Sequence, residues 1–278
     1  DLLSAATQLI IDRIVFVKML SDKGIEPDYL AKILSELGKR GDSNVSMFQA
    51  CKNLFSNLNS LYNGSIFSDR DELDAMPVEN SVLIGILKEL DPEYAPYTLS
   101  SMDVRIVGNA YERYLGNVIH ADGRGVSIET KQEVRKAGGV FYTPSYIVEY
   151  IVDHTVGELL RKCETPEDVA RLKILDPACG SGSFLLGAYE CILRWHQNYF
   201  EKSFDRKYRD LAEVIRLADG QKAIRLTAKL KRNILLNNIY GVDIDPQAVE
   251  VAQFSLCMKA LEGVEDRQEL EAERNLFK

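Results

Sequence analysis

Hydrophobic positions in the first 115 or so residues recur at helical spacing. Ile10, Ile14 and Val17 share one face of a first helix, with Asp12 and Arg13 expected outside it. Tyr29, Ile33, Leu34 and Leu37 repeat the pattern up to Gly38, and Phe48, Leu54, Phe55, Leu58 and Leu61 repeat it up to Asn63-Gly64. Ser81 to Leu90 reads as a short helix stopped by Asp91-Pro92, and Val104 to Leu115 as another after the capping candidates Ser101 and Asp103. The texture changes at Gly116. GNVIHADGRGVSIE holds two strand-like runs around Asp122-Gly123, the chemistry of a tight hairpin, and a basic helical piece with Lys131, Arg135 and Lys136 follows up to Gly138-Gly139.

From there helix and strand alternate. Pro144 to Leu160 is amphipathic, with Ile147, Val148, Ile151 and Val152 expected to face inward; LKIL is a short buried strand; Ser183 to about Tyr199 is a helix. A charged helical insert, the strand NIYGVDI and a helix from Pro246 complete the series. Strand, glycine turn, helix, strand, acid, helix predicts the first half of an open parallel sheet. The layout expected is therefore α/β: a helical domain over 1–115, a hairpin and linker over 116–139, and a domain over 140–278 with a helical insert at 195–232.

Composition narrows the function. The 278 residues are 46% hydrophobic and 27% charged, the balance of a folded globular chain long enough for two cores. A net charge of −8 argues against a general nucleic-acid binder, so such contact would need a local patch. Residues 202–232 offer one candidate, with ten Lys/Arg against four acids; a solvated face is the plain reading and phosphate contact the sharper one. Lys131, Arg135 and Lys136 form a smaller candidate patch. The most apolar stretch, LIIDRIVFVKML, is broken by Asp12, Arg13 and Lys18, so no membrane anchor is expected. Five scattered cysteines without a C-x-x-C pair read as free thiols of a cytoplasmic protein, and three distant histidines predict no metal site. The chain opens on Asp1 with no signal pattern, and reads as a piece of a longer protein.

Three motifs carry candidate chemistry. In LKILDPACGSGSF a strand runs into Gly180-Ser181-Gly182 at a helix start, where bare backbone and free N–H groups can meet an anionic ligand; a mere tight strand–helix turn is the alternative. The third glycine of a dinucleotide fingerprint would fall at Leu185, and no G-x-x-x-x-G-K-[ST] exists. In NNIYGVDIDPQAVEVA, Asp243 would end a neighbouring strand, where a carboxylate can accept both hydroxyls of a ribose, with Ile244 offering an apolar face to a base. Asp245 before Pro246 reads as an N-cap. About 60 residues separate Gly182 from Asp243, against roughly 20 in a simple dinucleotide unit, and the insert accounts for the excess. In GGVFYTPSYIVEYIV, Thr143-Pro144 signals a helix start and also offers a hydroxyl to a ligand carboxylate.

FYTP, then DPACGSGSF, then GVDIDP, in this order, resemble the S-adenosylmethionine-binding motifs of adenine-specific DNA methyltransferases, especially type IIG restriction–modification and related large phage-defence methylases. IDRIVFVKMLSDKGIEPD and MDVRIVGNAYERYLG resemble that family's helical segment. The resemblance implies a truncated Rossmann-like methyltransferase domain after an all-helical one, S-adenosylmethionine as cofactor and double-stranded DNA as partner. It assigns Asp176 to the cofactor's ammonium group and Thr143 to its carboxylate. Backbone at Ala178, Cys179, Gly180 and Gly182 would line the methionine portion, Asp243 the ribose and Ile244 the adenine, while Tyr142, Pro177, Ser183 and Phe184 complete the set. Cys179 is read as a small turn-filling residue, since no base is placed to activate it.

The family's catalytic [DNS]-P-P-[YFW] tetrad has no counterpart, because no two of the eight prolines are adjacent. The expectation is that this chain lacks the catalytic residues, methylates nothing alone, and exposes a sheet edge through which two copies can associate. A methyltransferase of RNA or protein, and a non-catalytic interaction module, are the competing readings.

Overall fold

The structure, a computed structural model, describes residues 2–37, 46–62, 67–68, 70–91, 93–94, 98–99, 105, 117–122, 125–130, 143–217 and 219–264. They fall into two compact units. The first holds the described residues up to 99 and most of the hairpin at 118–129; the second holds Arg105 and residues 143–264. Of the expected helix Val104–Leu115 only Arg105 is described, and the basic piece at 131–136 and Tyr142 lie outside the described residues.

The first unit is helical: α1 (Leu2–Asp22), α2 (Tyr29–Leu37), α3 (Met47–Tyr62), α4 (Asp71–Asp74) and α5 (Asn80–Leu90), with the strands β1 (Asn117–Asp122) and β2 (Gly125–Thr130) paired as the Asp-Gly signal predicts. Phe16, Phe55 and Phe67 form its aromatic centre, Phe67 meeting Phe16 edge-on at 5.4 Å and stacking on Phe55 at 6.1 Å. Ile10, Ile14 and Val17 are buried as expected, but so are Asp12 and Arg13, which periodicity placed outside the core, and so is Lys18. Ion pairing overrides the pattern. The Arg13 guanidinium bonds the Asp74 carboxylate and donates to the Ser68 carbonyl at 2.8 Å, while Lys18 Nζ lies 2.8 Å from Asp22 and 3.1 Å from Asp28. A buried cation is tolerable only when paired in this way.

The Arg13–Asp74 pair carries a pH signature. Burial alone would raise the Asp74 carboxyl, but the Arg13 bond and the Arg70 backbone N–H outweigh it and hold the group below the usual carboxylate range. A depressed carboxyl contributes stability that is full above its unfolded value near 4 and is lost as pH falls through the folded value. Asp74→Asn is thus expected to lower the urea midpoint at pH 6, with the gap to the parent chain closing as pH drops below about 4. A gap independent of pH would show that the pair contributes nothing.

In the second unit α6 (Ser145–Val152) runs through one π turn (Asp153–Gly157) into α7 (Glu158–Leu160), followed by α8 (Pro166–Val169) and β3 (Ile174–Asp176). Val148, Val152, Val156 and Leu160 make the buried stripe; Ile151, expected to face inward, is exposed, because the inward line follows i, i+4 through the π turn. Then come α9 (Ser183–Lys202), a 3₁₀ turn (Arg206–Tyr208), β4 (Ala212–Arg216), β5 (Lys222–Leu226), α10 (Ala228–Asn238), β6 (Ile239–Gly241) and α11 (Pro246–Ala260).

β3 and β6 pair in parallel, Ile174 opposite Ile239 and Asp176 opposite Gly241. Ile239 sits in the core, where Tyr189, Ile192, Phe200 and Ile234 are buried. Leu175 and its register partner Tyr240 point to the other face and are exposed, so the LKIL strand is not buried on both sides as expected: the described elements cover one face of the pair.

The helical insert at 195–232 is also corrected. Residues 212–226 form an antiparallel hairpin with Val214 opposite Ile224. AEVIR and KAIRL alternate around an Asp219-Gly220 turn, a signal that the charge density of the segment obscured. Gly220 adopts φ +83°, its N–H donates to the Leu217 carbonyl at 2.9 Å, and the Asp219 carboxylate accepts from the Gln221 N–H at 3.0 Å.

Candidate functional site

The parallel ladder delivers two loops to one place. Beyond β3 and β6, Val242 N–H donates to the Asp176 carbonyl and Cys179 N–H to the Val242 carbonyl, each at 2.9 Å. This fixes the strand β6 extension beside the glycine turn. The Asp243 carboxylate then crosses over: Oδ2 accepts the Gly180 N–H at 2.9 Å, and Oδ1 accepts the Asp245 N–H at 2.9 Å. Asp176 turns back on its own loop, Oδ1 accepting from Ala178 N–H at 3.1 Å. Two carboxylates therefore flank one backbone turn.

The turn itself needs glycine. Gly180 has φ +52° and Gly182, the N-cap residue of α9, φ +87°, conformations that L side chains rarely adopt. At Gly182 the obstacle differs from the one expected. A Cβ there would meet Ala252 of α11, at 2.8 Å from its Cβ and 3.1 Å from its Cα, so a side chain at 182 collides with a helix, not with a ligand. Ser181 and Gly182 are buried, while Pro177 and Ala178 are exposed.

Cys179 is buried, and burial, with Asp243 and Asp176 adding to it, pushes its thiol above the ordinary value. Such a thiol stays protonated at neutral pH and is a poor nucleophile, in keeping with its reading as a turn-filler. Ser183 opens α9, and Phe184 packs against the core of the unit, a structural role that its proximity to the glycines hid. Ile244 is fully exposed next to Asp243, and Val242 is exposed as well. Asp245 caps α11, its Oδ1 accepting from the Gln247 N–H at 3.0 Å ahead of Pro246. Helix α6 starts at Ser145 with Pro144 at the cap position and no side-chain cap bond, so the half-buried Thr143 precedes the cap and does not fill it.

A groove of about 890 Å³ lies along α6, α7 and α9, lined by Glu149, Asp153, Arg161, Glu190, Arg194 and Lys259 among others. It includes no residue of the 176–182 turn or of the Asp243 strand end. The strand ends are favoured over this groove by chemistry, since they gather two carboxylates, a glycine turn and an exposed apolar side chain. Among the described residues no group of three His, Cys, Asp or Glu side chains is placed to hold a metal ion, and no helix is long and apolar enough to cross a membrane.

Parallel strand ends, one entering a glycine turn and the other ending in an acid, are the place where α/β sheets bind their ligands. Comparison with known proteins shows what the chain is similar to. Residues 156–275 match the family model described as MmeI, DNA-methyltransferase domain. The chain is similar to the type II restriction enzyme and methyltransferase RM.Eco57I of Escherichia coli, 29% identical over 264 residues, covering 94% of this chain and 24% of that protein. It is also similar to the adenine-specific methyltransferase BrxX of Escherichia coli O9:H4, 27% identical over 67% of this chain and 15% of that protein. The adenine-specific methyltransferase PglX of Streptomyces coelicolor is 29% identical over 48% of this chain and 9% of its own length. The resemblance to adenine-specific methyltransferases and restriction–modification enzymes is thus borne out, and the chain spans about a quarter of the length of the first curated relatives it matches.

Proposed function

We propose that this chain is the methyl-donor-binding part of an adenine-specific DNA methyltransferase of a restriction–modification or phage-defence system, with a Rossmann-like second unit that takes S-adenosylmethionine. The observation that carries the reading is the bond between Asp243 and the Gly180 backbone across the ends of adjacent parallel strands.

The residues present fit the group. S-adenosylmethionine carries a carboxylate, an ammonium, a ribose diol and a flat base. Each oxygen of the Asp243 carboxylate accepts one backbone N–H and has a lone pair left, which suits it to accept the two hydroxyls of a diol. Asp176 beside the turn offers negative charge to an ammonium, Thr143 a hydroxyl to the carboxylate, and the exposed Ile244 an apolar face to the base. When bound, the cofactor supplies an activated methyl group together with its own leaving group, so the protein's share is positioning and electrostatics. Asp243 and the glycine turn orient the nucleoside; Asp176 and Thr143 fix the amino-acid end. The acceptor in the whole protein is the exocyclic amine of an adenine in duplex DNA, which must leave the stack to be reached. With no adjacent prolines in this sequence, the contacts to that base are proposed to come from elsewhere in the whole protein.

Calorimetric titration of S-adenosylmethionine into the folded chain tests the reading. Saturable one-to-one binding, with competition by S-adenosylhomocysteine, is the expected result. Absence of heat from a sample with intact helical circular dichroism would overturn it in favour of a non-catalytic interaction module.

A further inference from the structure

Nine of the ten cations at 202–232 are sorted by the fold into two populations, the half-buried Arg232 standing outside both. Arg225 pairs with Glu213, Lys229 with Asp210, and the buried Lys231 bonds the Glu262 carbonyl, so these serve the unit itself. Lys202, Arg206, Lys207, Arg209, Arg216 and Lys222 are all exposed. The first four surround the 3₁₀ turn, Lys207 lying over the Tyr208 ring at 4.4 Å. Arg216 and Lys222 are direct register partners at the tip of the β4–β5 hairpin. Of the acids nearby, Asp210 and Glu213 hold Lys229 and Arg225, and Asp205 and Asp219 accept backbone N–H groups of their own turns. Glu167 and Asp205 also attract Lys207, and Asp210 attracts Arg209, so Arg206, Arg216 and Lys222 are the cations least offset.

Burial falls away along the hairpin. Ala212 and Leu226 at its base are buried, Val214 is 49% exposed, and Arg216, Leu217 and Lys222 at the tip are exposed. The tip therefore projects from the unit. Like charges directly opposite in an antiparallel pair destabilise it, and among the described residues neither Arg216 nor Lys222 has an ion pair to offset the cost. A polyanion laid across the tip removes that repulsion.

We infer that the hairpin, from the 3₁₀ turn at its base to its tip, forms a sequence-independent contact surface for the sugar–phosphate backbone of duplex DNA, separate from the candidate cofactor site. The choice of DNA as the polyanion rests on the proposed function; the surface itself does not need the methyl donor. Four strand steps of about 3.4 Å separate the base of β4 from its tip, so the six cations spread over a length that several successive phosphates occupy. The α9 helix, 20 residues and so about 30 Å long, runs from the glycine turn to Lys202, so the 3₁₀-turn part of this surface follows its opposite end. Its contact is thus with DNA flanking a target, or with DNA in general, and adds affinity without reading bases.

The test uses the full chain, a random-sequence 30-base-pair duplex and fluorescence anisotropy across a salt series, without S-adenosylmethionine. Binding that weakens with salt is expected. Arg216→Gln with Lys222→Gln is expected to weaken it at least tenfold at low salt and to flatten the log–log salt slope by about two, with an unchanged or raised melting temperature because the like-charge pair is gone. Arg206→Gln with Arg209→Gln is expected to act in the same direction, and Lys32→Gln in the helical unit to have no effect. No binding by the parent chain, unchanged binding by both double variants, or equal competition by polyglutamate would each overturn the proposal. Loss of this binding with calorimetric S-adenosylmethionine binding intact separates it from the cofactor reading.

Discussion

Asp243→Asn is expected to abolish most of the affinity for S-adenosylmethionine while leaving the chain folded. The native carboxylate accepts from Gly180 on one oxygen and from Asp245 on the other. An asparagine keeps one acceptor and turns an NH₂ group toward one of those two backbone donors, so the side chain must give up either the turn or the strand end. It also loses the charge that strengthens bonds to a diol. Hydrogen bonds to a charged group contribute about 1.5–3 kcal/mol each, so a loss of about 2–4 kcal/mol, or roughly 30- to 1,000-fold in Kd, is expected by calorimetry. Melting should fall by only a few degrees, since the site is half exposed. Unchanged affinity would remove Asp243 from the pocket, and with it the argument from the Gly180 contact.

Gly182→Ala is expected to have the largest effect on stability. Two costs combine: a positive φ, worth about 1–2 kcal/mol for an alanine, and overlap with Ala252, whose Cα lies 3.1 Å from the added atom and cannot swing aside as a flexible side chain would. Overpacking of this kind costs about 1–3 kcal/mol. Together they predict about 3 kcal/mol, a fall of roughly 6–12 °C in melting temperature for a unit of this size. Gly220→Ala provides the comparison. Gly220 shares the positive φ, at +83°, but nothing lies within 4 Å of an added Cβ, so it should lose the conformational part alone. Equal losses at the two positions would show that the α9–α11 approach is not close-packed.

The two glycines show where sequence reasoning succeeds and where it stops. G-S-G after a strand is legible because only glycine tolerates the backbone that a strand-to-helix turn demands. Which object forbids a side chain is a matter of what the fold brings near, and at position 182 that object is α11, 70 residues downstream. Phe184 is similar: adjacency to the motif suggested a ligand contact, and its burial against the core records a packing role. The Asp243–Gly180 bond was anticipated only as proximity of two strand ends, since chain positions about 60 residues apart carry no information on hydrogen-bond partners.

Charge was the least legible property. Arg13 reads as lying outside the helical face and Lys18 as a break in an apolar stretch, and both become core residues because Asp74, Asp22 and Asp28 are delivered to them. The ten cations of residues 202–232 looked like one helical face; the fold makes a hairpin and sorts nine of them into paired and exposed sets.

By itself, then, the sequence determined the succession of the main helices and of the two parallel strands of the second unit, the glycine turn, the Asp245 cap and the methyltransferase likeness, because backbone propensity, capping and motif order are local properties of the chain. The tertiary structure alone decided which carboxylate meets which N–H, which glycine faces a helix and which cations are left for solvent. Those outcomes depend on pairs of residues far apart in sequence, and their energies exist only once the packing has brought the partners within a few ångströms.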